Sequence, residues 1–102
     1  MSNWIRIASV EQCPPGSARE FVANDRIVAL YNVEGEFHAL DGICPHQGGP
    51  LGKGNLSGCI VTCPWHGWQF DVTNGQHQTS ASLLHAKIPV KIEGDSVLVD
   101  VS

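Results

Sequence analysis

Two short segments of this chain combine side chains that metal ions bind well. Cys44 and His46 form one pair, and Cys63 and His66 form the other. Sixteen residues, 47–62, lie between the two segments. Each pair brings one thiolate and one imidazole from a short stretch that also contains proline. Two such pairs at this spacing predict one metal site with four ligands, held between two loops.

The mixed order of the donors bears on which metal they hold. Two cysteines and two histidines can bind one zinc ion, or they can bind two irons bridged by sulfide. Zinc fingers keep cysteine with cysteine and histidine with histidine, whereas each segment here carries one of each. If each loop reaches over both ions, the cysteines can hold one iron and the histidines the other. We therefore expect an iron–sulfur cluster, with a structural zinc module as an alternative.

Size and charge restrict the function classes that remain. The chain has 102 residues and a net charge of −4, which predicts one domain, 1–102, without the basic surface that nucleic-acid binding needs. No apolar run approaches the ~20 residues of a membrane-spanning helix. The first residues lack the apolar core of a signal peptide, so we expect a cytoplasmic protein with free thiols. We also expect the protein to be a monomer.

Local patterns predict an all-β domain, as a small barrel or sandwich. Glycines and prolines separate short apolar or alternating runs, and Asn24-Asp25 and Glu34-Gly35 are hairpin signals. The expected strands are 4–8, 20–23, 27–33, 36–40, 59–62, 68–72, 87–92 and 96–101. Residues 41–84 read as a loop-rich insertion that carries the metal site.

The ligand pattern Cys-x-His-x₁₆-Cys-x-x-His resembles the signature of Rieske 2Fe–2S proteins, over about residues 42–75. The resemblance implies a fold of three antiparallel sheets with one cluster held between two loops. It also implies that Cys44 and Cys63 bind the inner iron, and that His46 and His66 bind the outer iron at the exposed tip. A third loop covers the cluster in this family, and its counterpart here is 78–84.

The same resemblance implies a low reduction potential. Rieske proteins of quinol-oxidising complexes carry a disulfide across the cluster and two hydroxyl groups that donate to its sulfurs. The matching positions are Gly49 and Trp65 for the disulfide, and Trp68 and Phe70 for the hydroxyls, so the disulfide and both hydroxyls are missing. Two imidazole ligands leave the oxidised core formally neutral, which raises the potential above that of plant-type ferredoxins, while the missing disulfide and hydroxyl donors lower it within the Rieske range. We expect a midpoint near the low end of the Rieske range, about −150 mV.

Other residues near the ligands have supporting roles or none. Gly48, Gly49 and Gly67 are expected to let backbone amides approach the sulfides, although Gly67 fits a simple turn equally well. We expect Trp68 to shield the cluster from water.

Histidines and cysteines outside the ligand pattern are given ordinary roles. His38 is predicted to be structural, while His77 and His85 are predicted to be exposed to solvent. Cys13 is expected to be a free thiol, and Cys59 a small core residue.

The resemblance to the small ferredoxins of bacterial ring-hydroxylating dioxygenase systems implies a soluble electron carrier rather than an enzyme. Its partners would be a flavin-containing NAD(P)H reductase and a terminal oxygenase. An alternative is the small subunit of NAD(P)H-dependent nitrite reductase, in which the acceptor is the large subunit. The sequence contains no residues that would form a catalytic site of its own.

Overall fold

The computed structural model describes residues 4–42, 51–64, 67–78 and 87–101. Within these ranges the chain forms short strands and two single 3₁₀ turns, Val10–Gln12 and Leu51–Lys53. The strands are β1 Trp4–Ser9, β2 Ala18–Ala23, β3 Arg26–Val33, β4 Glu36–Asp41, β5 Asn55–Ser57, β6 Ile60–Thr62, β7 Gln69–Asp71, β8 Lys87–Ile88, β9 Val90–Glu93 and β10 Ser96–Asp100. None of the described segments forms a helix with the length and apolar character to cross a membrane.

The strands form three antiparallel sheets, as the resemblance implied. The terminal sheet has the order β1-β10-β9, the central sheet β2-β3-β4-β8, and the small sheet β5-β6-β7. Every strand pair is antiparallel. The prediction of an all-β fold with three antiparallel sheets is therefore confirmed.

The central sheet is covered on both faces, and this produces two separate cores. The first core lies between the terminal and central sheets and consists of Ala8, Cys13, Ala23, Val28, Leu30, Ala39, Ile88, Val97 and Val99. The second core lies between the central and small sheets and consists of Ala29, Tyr31, Leu40, Leu51, Val61, Cys63, Phe70 and Val72.

Strand β3 lines both cores with alternate residues. Val28 and Leu30 pack into the first core, whereas Ala29 and Tyr31 pack into the second. Successive side chains of a strand point to opposite faces, so a strand buried on both sides reads as a continuous apolar run. This explains why the sequence of β3 is apolar without alternation.

Two hairpin turns connect β2, β3 and β4 where the sequence predicted them. Asn24 and Asp25 have φ values of 50° and 64°, and Glu34 and Gly35 have φ values of 53° and 95°. Positive φ at both central residues is typical of the type I′ turn, whose twist matches that of the strands. Asparagine, aspartate and glycine tolerate this conformation, but glutamate does so poorly.

We expect the Glu34→Asn variant to be more stable by about 0.5–1 kcal/mol, because asparagine adopts a positive φ at lower cost. Urea unfolding of the variant and the parent protein measures the gain. Glu11→Asn is the control, since Glu11 is exposed in a 3₁₀ turn and has no positive φ. A Glu34→Asn protein no more stable than the parent would contradict the assignment of strain to this turn.

The predicted strand 87–92 is wrong as a single element. It divides at Pro89 into β8, which pairs with β4 in the central sheet, and β9, which pairs with β10 in the terminal sheet. Proline has no amide hydrogen and cannot donate to a ladder, so the chain changes sheets there. The Pro89 carbonyl still accepts a hydrogen bond from the Asp100 amide at 3.0 Å.

Strand β5 is an element that the sequence prediction missed. It pairs with β6 over three residues, and Gly54 lies directly before it. A Cβ atom at Gly54 would come within 2.5 Å of the Thr62 carbonyl oxygen. The glycine therefore permits the close approach of two backbones that starts this ladder.

Candidate metal centre

The residues on either side of the first ligand segment are fixed by buried hydrogen bonds. The Leu51 amide donates to the Gly42 carbonyl at 3.0 Å, so the residues that flank 43–50 are joined directly. The Tyr31 hydroxyl, inside the second core, donates to the Leu51 carbonyl at 3.0 Å. The central sheet thereby fixes the position of Leu51, the residue that follows segment 43–50.

The second ligand segment is closed in a similar way. The Cys63 amide donates to the Trp68 carbonyl at 2.7 Å. Thr62, directly before Cys63, and Gln69, directly after Trp68, pair in the β6–β7 ladder. The Gln69 side-chain amide also donates to the Thr62 hydroxyl at 3.1 Å. Residues 63 and 68 are therefore held opposite each other at the end of the small sheet.

The residues that flank a third segment, 79–86, each make one hydrogen bond to β7 or to the turn that follows it. The Gln78 amide donates to the Gln69 carbonyl at 3.0 Å, which fixes the start of the segment against β7. At the other end, the Lys87 amine donates to the Thr73 carbonyl at 2.7 Å. The described chain before the predicted covering loop thus lies against β7, and the chain after it pairs with β4 and contacts the turn after β7 through the Lys87 side chain.

Cys63 is buried at the base of the second ligand segment. Its side chain belongs to the second core, and the residue is only 1 % exposed. It forms no disulfide, and Cys13 and Cys59 are also free thiols. Cys63 is thus a buried free thiol between two sheets, at the first residue of a turn closed by a hydrogen bond. This placement fits a structural thiolate ligand of a metal centre.

The remaining predicted ligands, Cys44, His46 and His66, lie outside the described residues, as do Gly48 and Gly49. Across the part of the chain that the structure covers, no three metal-binding side chains cluster. The ligand set consequently stays a prediction, with Cys63 as the member whose surroundings are described.

Gly67 and Trp68 lie at the end of the second segment. Gly67 has φ +74°, and a Cβ atom there would meet no described atom within 4 Å. The left-handed conformation favours glycine at this position, as in a turn. The approach of its backbone amide to the sulfides stays a prediction. Trp68 is half-buried and packs against the second core. Its shielding of a cluster stays a prediction.

The prediction that His77 is exposed is wrong. The residue is 8 % exposed, and its ring stands edge-on to Trp68 and Phe70, at centroid distances of 4.7 and 5.1 Å. A backbone bridge between Phe70 and His77 brings the histidine onto the small sheet. Its neighbours in the sequence, Gln76 and Gln78, are polar, so no apolar pattern signalled this burial. His85 lies outside the described residues.

Comparison with known proteins decides what kind of centre these elements support. The family model of the Rieske [2Fe-2S] domain matches residues 3–89. The chain belongs to the Rieske family. The ferredoxin component of the naphthalene 1,2-dioxygenase system of Pseudomonas aeruginosa is 35% identical over 100 residues, covering 97% of this chain and 96% of that protein.

Two further comparisons, one of sequence and one of structure, agree with this assignment of the Rieske chain. The ferredoxin component of the alkene monooxygenase system of Xanthobacter autotrophicus is 36% identical over 97 residues, covering 94% of this chain and 80% of that protein. The solved structure of a Sphingomonas yanoikuyae ferredoxin superposes with a TM-score of 0.88 at 29% identity, covering 98% of this chain and 100% of the other.

Membership of the family settles the choice of metal left open by the donor types. The cofactor is one Rieske 2Fe–2S cluster, and the zinc module is set aside. The burial of the Cys63 thiol fits this cluster, whose inner iron is bound by cysteine.

The other thiols of the Rieske chain have partners within the protein. Cys13 is buried in the first core, and the Ser17 hydroxyl lies 3.4 Å from its sulfur. Burial raises the pKa of the Cys13 thiol, partly offset by Ser17 and Arg19. Cys59 is half-buried rather than a core residue, and burial and the nearby Asp71 raise the pKa of its thiol. Neither thiol has the character of a reactive thiolate.

His38 occupies the position expected of a structural residue. It is half-buried on β4, and its Nε2 atom lies 3.4 Å from the Glu36 carboxylate. The sequence interpretation of this histidine agrees with that placement.

Asp71 fixes the turn that follows β7. Burial alone would raise the pKa of its carboxyl, but hydrogen bonds from the Thr73 hydroxyl, the Thr73 amide and the Cys59 thiol outweigh this, and His38 adds a smaller effect. The two Thr73 donors lie 2.6 and 2.9 Å from the Asp71 oxygen. The net result is a pKa below its usual value, which means that the ionised carboxylate stabilises the fold.

We expect Asp71→Asn to lower the free energy of unfolding by about 1 kcal/mol at pH 7, because an amide accepts these hydrogen bonds less strongly. A group with a lowered folded pKa stabilises above its unfolded value, about 3.9, and loses this contribution as the pH falls through the folded pKa. Urea unfolding at pH 7 and at pH 3 should therefore show the gap between the two proteins closing in acid.

Thr73→Ala, which removes the hydroxyl donor, should show the same closing gap. A difference between Asp71→Asn and the parent that is the same at both pH values would contradict the assigned role of the carboxylate.

Proposed function

We propose that this chain is the ferredoxin component of an oxygenase system, carrying one electron at a time to a terminal oxygenase. The observation that carries the proposal is the match, at about one-third identity and over nearly whole chains, to ferredoxin components of naphthalene dioxygenase and alkene monooxygenase systems. The described strands form three antiparallel sheets, and a solved ferredoxin of nearly the same length superposes on them, which supports a carrier.

The cluster is proposed to be held by Cys44 and Cys63 at one iron and by His46 and His66 at the other. Burial of Cys63 supports its place at the inner iron, since a thiolate in the second core is removed from water. When bound, the cluster supplies reversible one-electron chemistry. The chain contributes the two closed segments that position the ligands and the core that excludes water from the thiolate side.

The proposed electron donor is a flavin-containing NAD(P)H reductase, because NAD(P)H gives up two electrons as a hydride, and a flavin can pass them on one at a time to a one-electron carrier. The test uses the holoprotein with the reductase and oxygenase of a naphthalene dioxygenase system. Reduction of the ferredoxin by NAD(P)H through the reductase, followed by substrate oxidation that depends on ferredoxin concentration, is the expected result.

Two outcomes would overturn this assignment. Failure of the reduced holoprotein to transfer electrons to any terminal oxygenase tested would remove the acceptor from the proposal. Co-purification of the native chain with a sirohaem-containing large subunit would assign it to nitrite reductase instead.

The proposed carrier acts as a monomer in the cytoplasm. Among the described residues, the exposed large apolar side chains are Val22 and Ile92, which lie on edge strands of two different sheets. Two isolated residues do not form the continuous apolar patch that a permanent interface uses. Sedimentation of the holoprotein should give the mass of one chain.

The proposed carrier has a low potential, because Trp68 and Phe70 occupy positions where hydroxyl donors raise the potential of other Rieske proteins. Phe70 is fully buried in the same core as Cys63. We expect Phe70→Tyr to raise the midpoint of the holoprotein by about 40 mV, equivalent to ~1 kcal/mol favouring the reduced state. Protein-film voltammetry measures the shift.

Phe21→Tyr is the matched control, since Phe21 packs against the first core. It should leave the midpoint unchanged. A parent midpoint well above zero, or equal midpoints for Phe70→Tyr and the parent, would contradict the explanation of the low potential.

A further inference from the structure

A buried histidine forms the centre of an aromatic group beside the ligand-bearing end of the small sheet. The His77 ring is perpendicular to the Phe70 ring, at 90°, and nearly perpendicular to the Trp68 ring, at 85°. Trp68 and Phe70 also contact each other, with centroids 6.4 Å apart. Each of the three rings therefore restricts the other two, and edge-on pairs of this kind are favourable.

The backbone holds His77 in this place from both sides. The Asp71 amide donates to the Gln76 carbonyl at 2.9 Å, and the Gln78 amide donates to the Gln69 carbonyl at 3.0 Å. Residues 76–78 thereby lie along β7, on the chain immediately before segment 79–86. The backbone of His77 is therefore held by the small sheet.

Trp68 connects this aromatic group to the proposed ligand. Its carbonyl accepts the hydrogen bond from the Cys63 amide, at 2.7 Å, and its indole packs on the core that contains the Cys63 thiol. The indole is only half-buried. His77 is the described residue that packs edge-on against this indole.

We propose that His77 is a positioning residue of the cluster site: its ring fixes Trp68 beside Cys63 and keeps water from the thiolate side of the cluster. The inference rests on the proposed role of Cys63 as a ligand. His77 has no contact with the metal in this account and acts through Trp68. Its function is packing by a planar ring, so it does not depend on protonation.

The expected consequence is a change in the redox properties of the site. Reduction adds one negative charge to the core, and water stabilises a negative charge better than an apolar surround does. If the His77 ring is removed, Trp68 gains freedom and water reaches the cysteine side more easily. The reduced state then becomes more favourable, and the cluster is lost more rapidly.

The test compares holoproteins with alanine, leucine and phenylalanine at this position, all at one pH. His77→Ala should raise the midpoint and accelerate the loss of visible absorbance in the presence of an iron chelator. His77→Phe should restore both values towards the parent, because it keeps a planar ring. If His77→Ala does not retain the cluster, the midpoint and chelator resistance of His77→Leu are compared with those of the parent. Leucine fills the space of the imidazole but lacks its planar ring.

His38→Ala is the matched control, since His38 is a half-buried histidine on β4 outside the aromatic group. It should match the parent protein in midpoint and in chelator resistance. A second test is the double variant His77→Ala with Trp68→Ala. Because His77 acts through Trp68, the change caused by His77→Ala should be absent when Trp68 is already removed.

Unchanged midpoint and chelator resistance in both His77→Ala and His77→Leu would overturn the inference. So would equal effects in the presence and absence of Trp68. Both results leave the proposed carrier function intact, because that function is tested separately, by electron transfer from the parent holoprotein to an oxygenase and by the proteins that co-purify with the native chain.

Discussion

Replacing Cys63 with serine is expected to give a colourless protein with essentially no bound iron or acid-labile sulfide. Cys63 is buried in the second core, where its thiolate is proposed to bind the inner iron. A serine hydroxyl has almost the same size but remains protonated near neutral pH, so it is a poor substitute for a thiolate. Because cluster binding contributes to folding, the small sheet should also lose stability. Iron and sulfide analysis after anaerobic preparation measures the effect.

Cys59→Ser is the matched control for this variant. Cys59 lies only four positions earlier, directly before β6, but its thiol is directed to Asp71 rather than into the second core. The control should retain the iron, the sulfide and the visible spectrum of the parent. A Cys63→Ser protein that keeps a full complement of iron and sulfide would remove Cys63 from the ligand set.

The second large effect is expected at Leu51, which supports the first ligand segment. Leu51 is fully buried, and its backbone is bonded to Gly42 and to the Tyr31 hydroxyl. Leu51→Ala should lower the free energy of unfolding by about 2–5 kcal/mol, because the deleted methyl groups leave a cavity in the second core. Since the cavity lies next to the base of segment 43–50, loss of the cluster should also become faster.

Ile88→Ala separates these two effects. Ile88 is almost as buried but belongs to the first core, so its truncation should cost a similar amount of stability. Under conditions in which both variants are folded, Ile88→Ala should release iron to a chelator at the parent rate, while Leu51→Ala should release it faster. Equal rates of iron release from the two variants would show that Leu51 has no special connection to the metal site.

The hairpins were predictable because their signals are local. The pairs Asn24-Asp25 and Glu34-Gly35 are adjacent in sequence, and the flanking runs have the residue types of strands. Each turn accordingly lies where it was predicted. The three-sheet arrangement followed from the family resemblance, since no local pattern states which strands share a sheet.

The errors arose where structure depends on distant contacts. An apolar run continues through Pro89, but the chain changes sheets there. The residues before the proline pair with β4, and the residues after it pair with β10. The three residues of β5 are too few to form a pattern, and they become a strand through pairing with β6. His77 is buried because a backbone bridge places it on Phe70, which its own polar neighbours did not indicate.

The types of ligand at the candidate site could be predicted from the sequence, but the hydrogen bonds that fix the ligand segments to the sheets could not. Four donors with a fixed spacing identified the ligand types, and the family match supports the cluster that they imply. The hydrogen bond from Tyr31 to Leu51 joins residues 20 positions apart in the chain. Nothing in either residue type indicates this contact, because a buried tyrosine hydroxyl can find an acceptor in many places.

The two-sided strand β3 restricts how the length of this chain can change. Adjacent residues of β3 line different cores, so deleting one residue would exchange the side chains of Leu30 and Tyr31 between them. The tyrosine hydroxyl would then enter the first core without its Leu51 acceptor, and the metal-bearing half would lose its anchor. Insertions and deletions should therefore be tolerated in the hairpin turns and excluded from the strand between them.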